Sequence, residues 1–355
     1  MDPRWRQLAG ILVTHSTGVQ PGERVMIAMG ELASYPLTQA VYEAVVKAGG
    51  FPQVQFLSET LRHALLCDGT DEQLAWVPEI EAYGMAWADV YFGLRGAADL
   101  DAHADIPAHR LATNQVAQGQ VSALRWAKTR WCLVRVPTAA LAQQAQTTLD
   151  TLQEMFFAAC LLDWQSVAEA WRGMAARLAA GTEVRIVGTD TDLRFSVAGR
   201  SWIALDGRLN MPDGEIMTAP VARSVNGQIT FEAPGVFGGR LIDGIRLGWR
   251  DGQLIEATAT TNQDLLQRIV DADAGASRLG EFAFGVNPYL TRFARDILLD
   301  EKIGGTIHIA LGRAYPECGG TNTSAIHWDI VKDLREAGVV YLDGRPIQTQ
   351  GALLV

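Results

Sequence analysis

The sequence has no apolar stretch long enough to cross a bilayer. Its longest run, around 155–162, falls well short of the roughly 20 residues that a spanning helix requires, so no membrane partner is expected. Basic residues are in deficit: 30 Lys and Arg against 40 Asp and Glu leave a formal charge of −10. A surface with that balance repels phosphate backbones, which removes nucleic acid from the expected partners. Cysteine is scarce and scattered. The four thiols (Cys67, Cys132, Cys160, Cys318) form no C-x-x-C pair, a pattern that suits core thiols of a reducing compartment and not a disulfide framework. The opening Met-Asp-Pro-Arg-Trp-Arg lacks a basic start, an apolar core and a small-residue cleavage site, so the expectation is a cytoplasmic protein without a secretory leader. The triplet Asn322-Thr323-Ser324 is then an accidental match to a glycosylation sequon.

Several catalytic signatures are missing too. There is no G-x-G-x-x-G after a strand, no G-x-x-x-x-G-K-[ST], no G-x-S-x-G and no H-E-x-x-H. Dinucleotide binding, phosphate cradling, the serine-hydrolase elbow and the commonest zinc-protease helix therefore have no support.

What is present is a globular composition: 48% hydrophobic and 20% charged residues, in a chain of 355 that suggests roughly two domains. Apolar residues at helical spacing in 2–18, 34–48, 139–159 and 164–180 alternate with short branched runs at 24–28, 54–57, 89–92 and 131–136. Strand and helix in that alternation predict a mostly parallel sheet wrapped by helices. After Gly181 the texture changes to short runs at 183–188, 192–197, 228–231, 244–249 and 253–260, divided by Gly, Asp and Asn. Asn226-Gly227, Asp251-Gly252 and Asp343-Gly344 read as tight turns between antiparallel strands. The expected fold is an α/β N-terminal domain, 1–180, followed by an α+β, sheet-rich, metal-binding C-terminal domain, 181–355.

Six histidines are unevenly placed. His15, His63, His103 and His109 sit among polar, surface-like neighbours, where a solvated or packing role is the default. His308 and His327 lie instead in apolar, strand-like sequence. Strand side chains alternate faces, so His327 and Asp329 point the same way while Ile326, Trp328 and Ile330 point the other. That pair can bind a metal ion, form a base–carboxylate couple, or be a satisfied histidine at a sheet edge. Glu215 follows a Pro-Asp-Gly turn, Glu281 sits between Leu279-Gly280 and an apolar run, and Glu301 follows Asp300; each alone is by default a solvated loop residue. Two imidazoles with several carboxylates can also be the ligand set of a pair of divalent ions, Zn²⁺, Co²⁺ or Mn²⁺.

Four segments carry a resemblance: 210–220 (NMPDGEIMTAP), 279–287 (LGEFAFGVN), 307–316 (IHIALGRAYP) and 322–329 (NTSAIHWD). In order and spacing they resemble the aminopeptidase T, aminopeptidase S and PepS group, the thermophilic metalloprotease family. The first half fits mainly through Cys160-Leu161-Leu162-Asp163-Trp164. The resemblance implies metal ligands at Glu215, Glu281, Glu301, His308, His327 and Asp329, with Tyr315 as the active-site tyrosine facing the oxyanion. It implies an aminopeptidase using a two-metal-activated water on short peptides, Glu281 shuttling the proton, in a homodimer with enclosed sites. Two competitors stand beside it. Ring-cleaving dioxygenases such as 2,5-dihydroxypyridine dioxygenase are similar to this family, and His308, His327 and Asp329 would suffice for their single iron. A binding or scaffold protein with structural acidic residues is the non-enzymatic one.

Overall fold

The computed structural model describes residues 2–97, 102–103, 105–125 and 128–355. The chain forms two compact units. One runs to Leu161 and takes back Gly207–Pro212; the other comprises Leu162–Asp206 and Asp213–Val355.

The first unit holds a five-stranded parallel sheet in the order Phe51–Leu57, Arg24–Gly30, Val90–Arg95, Arg130–Arg135, Asn210–Met211. Val25, Ile27, Phe92, Cys132 and Val134 are fully buried, as expected of inner strands covered on both faces. The edge strand Phe51–Leu57 is largely exposed and carries Pro52, which an edge tolerates because one side of its ladder is unpaired. Helix Tyr35–Lys47 starts with Pro36 in its first turn, buries Leu37, Ala40, Val41 and Val45, and ends at Gly49 with φ +79°.

Two expectations in this unit change. The helix expected over 139–159 forms as two, Ala139–Gln144 and Leu149–Cys160. Gln146 turns left-handed between them (φ +53°), and Thr148 restarts the chain by accepting the Thr151 N–H on its hydroxyl. The first helix is α-helical only over Arg4–Ile11 and widens to a π turn at Leu12–Ser16. The helices Glu59–Asp68, Asp71–Ala75, Glu79–Trp87 and Ala108–Ala123 lie where the sequence pattern gives no reading.

The second unit is built on antiparallel sheets. Eight strands run in the order Gln253–Thr258, Arg246–Arg250, Asn226–Thr230, Thr191–Ser196, Glu183–Gly188, Val339–Leu342, Arg345–Thr349, Ala352–Leu353. Five others run His327–Asp333, Thr306–Gly312, Leu279–Gly285, Glu215–Thr218, Ile203–Leu205. Phe195, Trp202, Phe282 and Phe284 pack edge-on or stacked at centroid distances of 5.0–6.0 Å, forming an aromatic core. Asp251-Gly252 and Asp343-Gly344 are the expected tight turns, each with two successive positive φ angles. Asn226-Gly227 is not a turn. Both residues lie within a strand, and a Cβ on Gly227 would meet the Asp192 carbonyl oxygen at 2.0 Å. The glycine is there to let two backbones approach closely.

Candidate metal centre

The five-stranded sheet of the second unit sorts its side chains by alternation. Phe282, Phe284, Ile216, Ile307, Ile309, Trp328 and Ile330 occupy positions facing one way and are all buried apolar groups. Glu215, Glu281, Ala283, His308, Ala310, His327 and Asp329 occupy the intervening positions. Cross-strand register then gathers them, with Glu281 opposite Ala310, Ala310 opposite Asp329, Gly312 opposite His327 and Gly285 opposite Glu215. The ladder between Leu279 and Glu281 shifts register at Gly280, where a Cβ would meet the Gly312 carbonyl oxygen at 2.4 Å. This bulge sets the direction in which Glu281 leaves the strand. The alanines keep the floor of the site small.

All six residues named from the sequence as ligands come together. Glu215, Glu301 and His308 place one donor atom each within 4.8 Å of one another, and Glu281, His327 and Asp329 do the same. Glu281 links the two groups: its Oε1 is 3.6 Å from His308 Nε2 and its Oε2 is 3.2 Å from His327 Nε2. His308 Nε2 is 3.4 Å from Glu215 Oε1, and His327 Nε2 is 3.4 Å from Asp329 Oδ1. Tyr315 stands beside them, its ring 4.9 Å from that of His327. One participant has no sequence signal. Lys302 is fully buried, contacts Glu301 and lies 3.8 Å from Glu215 Oε2.

The electrostatics follow from burying so many acids. Burial pushes Glu215 up to about 8, and the nearby imidazole of His308 only partly opposes it. Burial would raise Glu281 as well, but the imidazoles of His308 and His327 hold it well below the usual carboxylate range. Burial disfavours a charged His327, yet Asp329 and Glu281 carry it up to about 11. Burial, then the surrounding carboxylates, keep the Tyr315 phenol protonated far above its ordinary range. Lys302 is raised despite its burial because Glu301, Glu215 and Asp213 surround it.

This donor set fits divalent ions. His327 Nδ1 donates to the Arg313 carbonyl oxygen at 2.7 Å, which fixes the tautomer and leaves Nε2 as a lone pair among the carboxylates. The donor separations of 3.2–3.6 Å are those expected around a tetrahedral ion with bonds of about 2.0–2.2 Å. Asp329 Oδ1 is buried without a hydrogen-bond partner, as a ligand oxygen would be. A cation supplies the positive charge that protonated imidazoles otherwise supply, and releases those protons on binding.

Known proteins share this sequence pattern and fold. The family model described as thermophilic metalloprotease (M29) matches residues 1–346. Aminopeptidase 2 of Geobacillus stearothermophilus is 26% identical, the match covering 92% of this chain and 92% of that protein. Aminopeptidase T of Thermus thermophilus is 26% identical over 98% of each chain. Among solved structures, wild-type AmpT from Thermus thermophilus matches with a TM-score of 0.89 at 24% identity, over 99% of both chains, a likeness of fold. The 2,5-dihydroxypyridine dioxygenase of Pseudomonas putida KT2440 shares the fold more loosely, with a TM-score of 0.60 at 14% identity over 98% of this chain and 96% of that one. The chain belongs to the thermophilic metalloprotease (M29) family and is a metal-dependent hydrolase.

Proposed function

We propose that this protein is an aminopeptidase that removes N-terminal residues from short peptides, using two divalent ions held by Glu215, Glu281, Glu301, His308, His327 and Asp329. One observation carries the two-ion reading: Glu281 places its two oxygens beside two different imidazoles, each with further carboxylates of its own. A single iron needs only His308, His327 and one carboxylate, and would leave the buried pair Glu215 and Glu301 without a purpose. Divalent ions at this position supply Lewis acidity, bringing water toward hydroxide at neutral pH and polarising a carbonyl.

The chain's own groups do the rest. Carboxylates near the ions hold the substrate's free α-amino group and fix the first peptide bond in place. Glu281 takes the proton from the attacking water and returns it to the leaving nitrogen. Tyr315, protonated, donates a hydrogen bond to the oxygen on which negative charge develops. Lys302 neutralises part of the buried negative charge through Glu301 and Glu215.

The same reading takes the enzyme to be a homodimer with enclosed sites that admit peptides and exclude folded proteins. It also takes it to be cytoplasmic, with 1–180 and 181–355 as folding domains. Among the described residues no helix is long and apolar enough to cross a membrane.

Elemental analysis of protein purified without added metal tests the proposal, paired with hydrolysis of unblocked and N-acetylated peptides. Two equivalents of zinc, cobalt or manganese per chain are expected, with cleavage of the unblocked peptide alone, lost on chelation and restored by metal. One equivalent of iron with oxygen consumption would overturn the proposal in favour of a dioxygenase.

A further inference from the structure

The first unit carries a second constellation of soft and borderline ligands. His63 and Cys67 are four residues apart on helix Glu59–Asp68 and so share one face of it. Asp105 comes to the same face from the segment ahead of helix Ala108–Ala123. His63 Nε2 lies 3.1 Å from Asp105 Oδ1, and Cys67 Sγ lies 3.5 Å from His63 Nδ1 and 3.6 Å from Nε2. One donor atom from each of the three lies within 4.8 Å of the others.

We infer that His63 Nε2, Cys67 Sγ and the Asp105 carboxylate form a third divalent-metal site, of zinc type, that ties the segment before helix Ala108–Ala123 to helix Glu59–Asp68. The nitrogen-to-oxygen separation suits an ion, and Sγ, equally near both ring nitrogens, would swing toward Nε2 to join it. Tetrahedral zinc, with bonds of about 2.0–2.1 Å to nitrogen, 2.3 Å to sulfur and 2.0–2.2 Å to oxygen, separates N from S by about 3.5 Å and N from O by about 3.3 Å. A nitrogen, a thiolate and a carboxylate oxygen also suit zinc or cobalt and not calcium or magnesium.

The surroundings hold these donors in place. Ile106 is buried against Leu66 and Leu74, which anchors Asp105 beside the helix. Arg110 donates to the carbonyl oxygens of Leu66, Cys67 and Gly69, closing the helix C-terminus next to the thiol. His103 stacks on His63 with centroids 6.0 Å apart and planes at 9°, and its Nε2 meets Glu59 Oε2 at 2.5 Å. That carboxylate leaves His103 Nδ1 as a buried nitrogen with no hydrogen-bond partner. Water would complete the coordination of an ion held by the other three donors. Binding displaces the Cys67 proton into solvent, so the thiolate bonds to the metal and charge balances.

The test exploits sulfur. No thiol belongs to the ligand set of the other centre, so only this site gives a thiolate-to-cobalt charge-transfer absorption. The full chain, stripped of metal and given three equivalents of Co²⁺ before gel filtration, should show that absorption and retain a third equivalent. Cys67→Ser, at an exposed position, should lose both while keeping the other ions and the fold. Cys318→Ser, which changes the thiol nearest the acidic cluster, should keep the absorption. Asp105→Asn should weaken retention at least ~10-fold, since even groups that only hydrogen-bond a metal's ligands are worth that much. Absorption missing from the unaltered chain, surviving Cys67→Ser or vanishing in Cys318→Ser would overturn the inference, as would unchanged retention in Asp105→Asn. None of these outcomes depends on peptide hydrolysis, so this site and the aminopeptidase reading fail separately.

Discussion

Tyr315 shows how one hydroxyl can be kept for one task. Burial and the nearby acids hold it protonated, and its ring is braced by His327 on one side and by the Arg313 guanidinium 5.8 Å away. Tyr315→Phe removes the donor and keeps the ring. The expected outcome is a fall in kcat of about 10²–10³-fold with little change in KM, because the hydrogen bond is made only as charge develops. Steady-state kinetics on an unblocked peptide check this, and an unchanged kcat would remove Tyr315 from the reaction. At this scale much of the site is legible in the sequence. His327 and Asp329 declare a shared face through strand alternation alone, and the structure places them together. Glu215, Glu281 and Glu301 are readable only through their surrounding motifs, since a lone glutamate after a turn has a solvated default. Lys302 gives no signal. Its burial depends on Asp213 and Glu215, from a segment distant in sequence, joining the adjacent Glu301 around one ammonium, and no local pattern encodes that.

At the scale of elements, glycine's role depends on what lies beside the missing Cβ. Gly227 and Gly344 both have positive φ, +106° and +77°, but a methyl added to Gly344 would have nothing within 4 Å, whereas one added to Gly227 would meet the Asp192 carbonyl oxygen at 2.0 Å. Gly344→Ala should cost about 1–2 kcal/mol, the ordinary penalty of left-handed backbone for an L-residue. Gly227→Ala should cost more, because strands Asn226–Thr230 and Thr191–Ser196 must also part. Urea unfolding midpoints for the two variants give the order; equal midpoints would mean that the two strands do not approach so closely. This pair also explains a misreading. Asn-Gly reads as a turn in sequence whether glycine serves a left-handed corner or a close crossing, and only the neighbouring strand distinguishes them. The parallel-then-antiparallel order of the sheets is readable because buried parallel strands are short branched runs between helices, while the later strands alternate. The break at Gln146 is not, since a left-handed glutamine leaves the apolar spacing on either side intact.

Across the whole molecule, the buried acids couple metal to stability. Ligand that binds only the folded state stabilises it by RT ln(1 + [L]/Kd), about 4 kcal/mol when free metal is a thousandfold above Kd. Calorimetry of stripped and zinc-loaded protein should show a transition that rises with zinc concentration, and Glu281→Gln should blunt the rise. A scan indifferent to zinc would mean that the acids of the second unit are balanced without it. The interleaving of the two units has a further consequence, for the order of synthesis. The edge strand Asn210–Met211 of the first sheet is made after the second unit has begun, and the proposed ligands then follow one by one from Glu215 to Asp329. Strand Val339–Leu342, which seats against Glu183–Gly188, is made later still. A nascent chain on the ribosome therefore lacks the complete proposed ligand set until translation has passed Asp329, and the strand that completes this part of the eight-stranded sheet follows it. Hydrolysis that depends on the proposed set would therefore begin only when nearly the whole chain has been made.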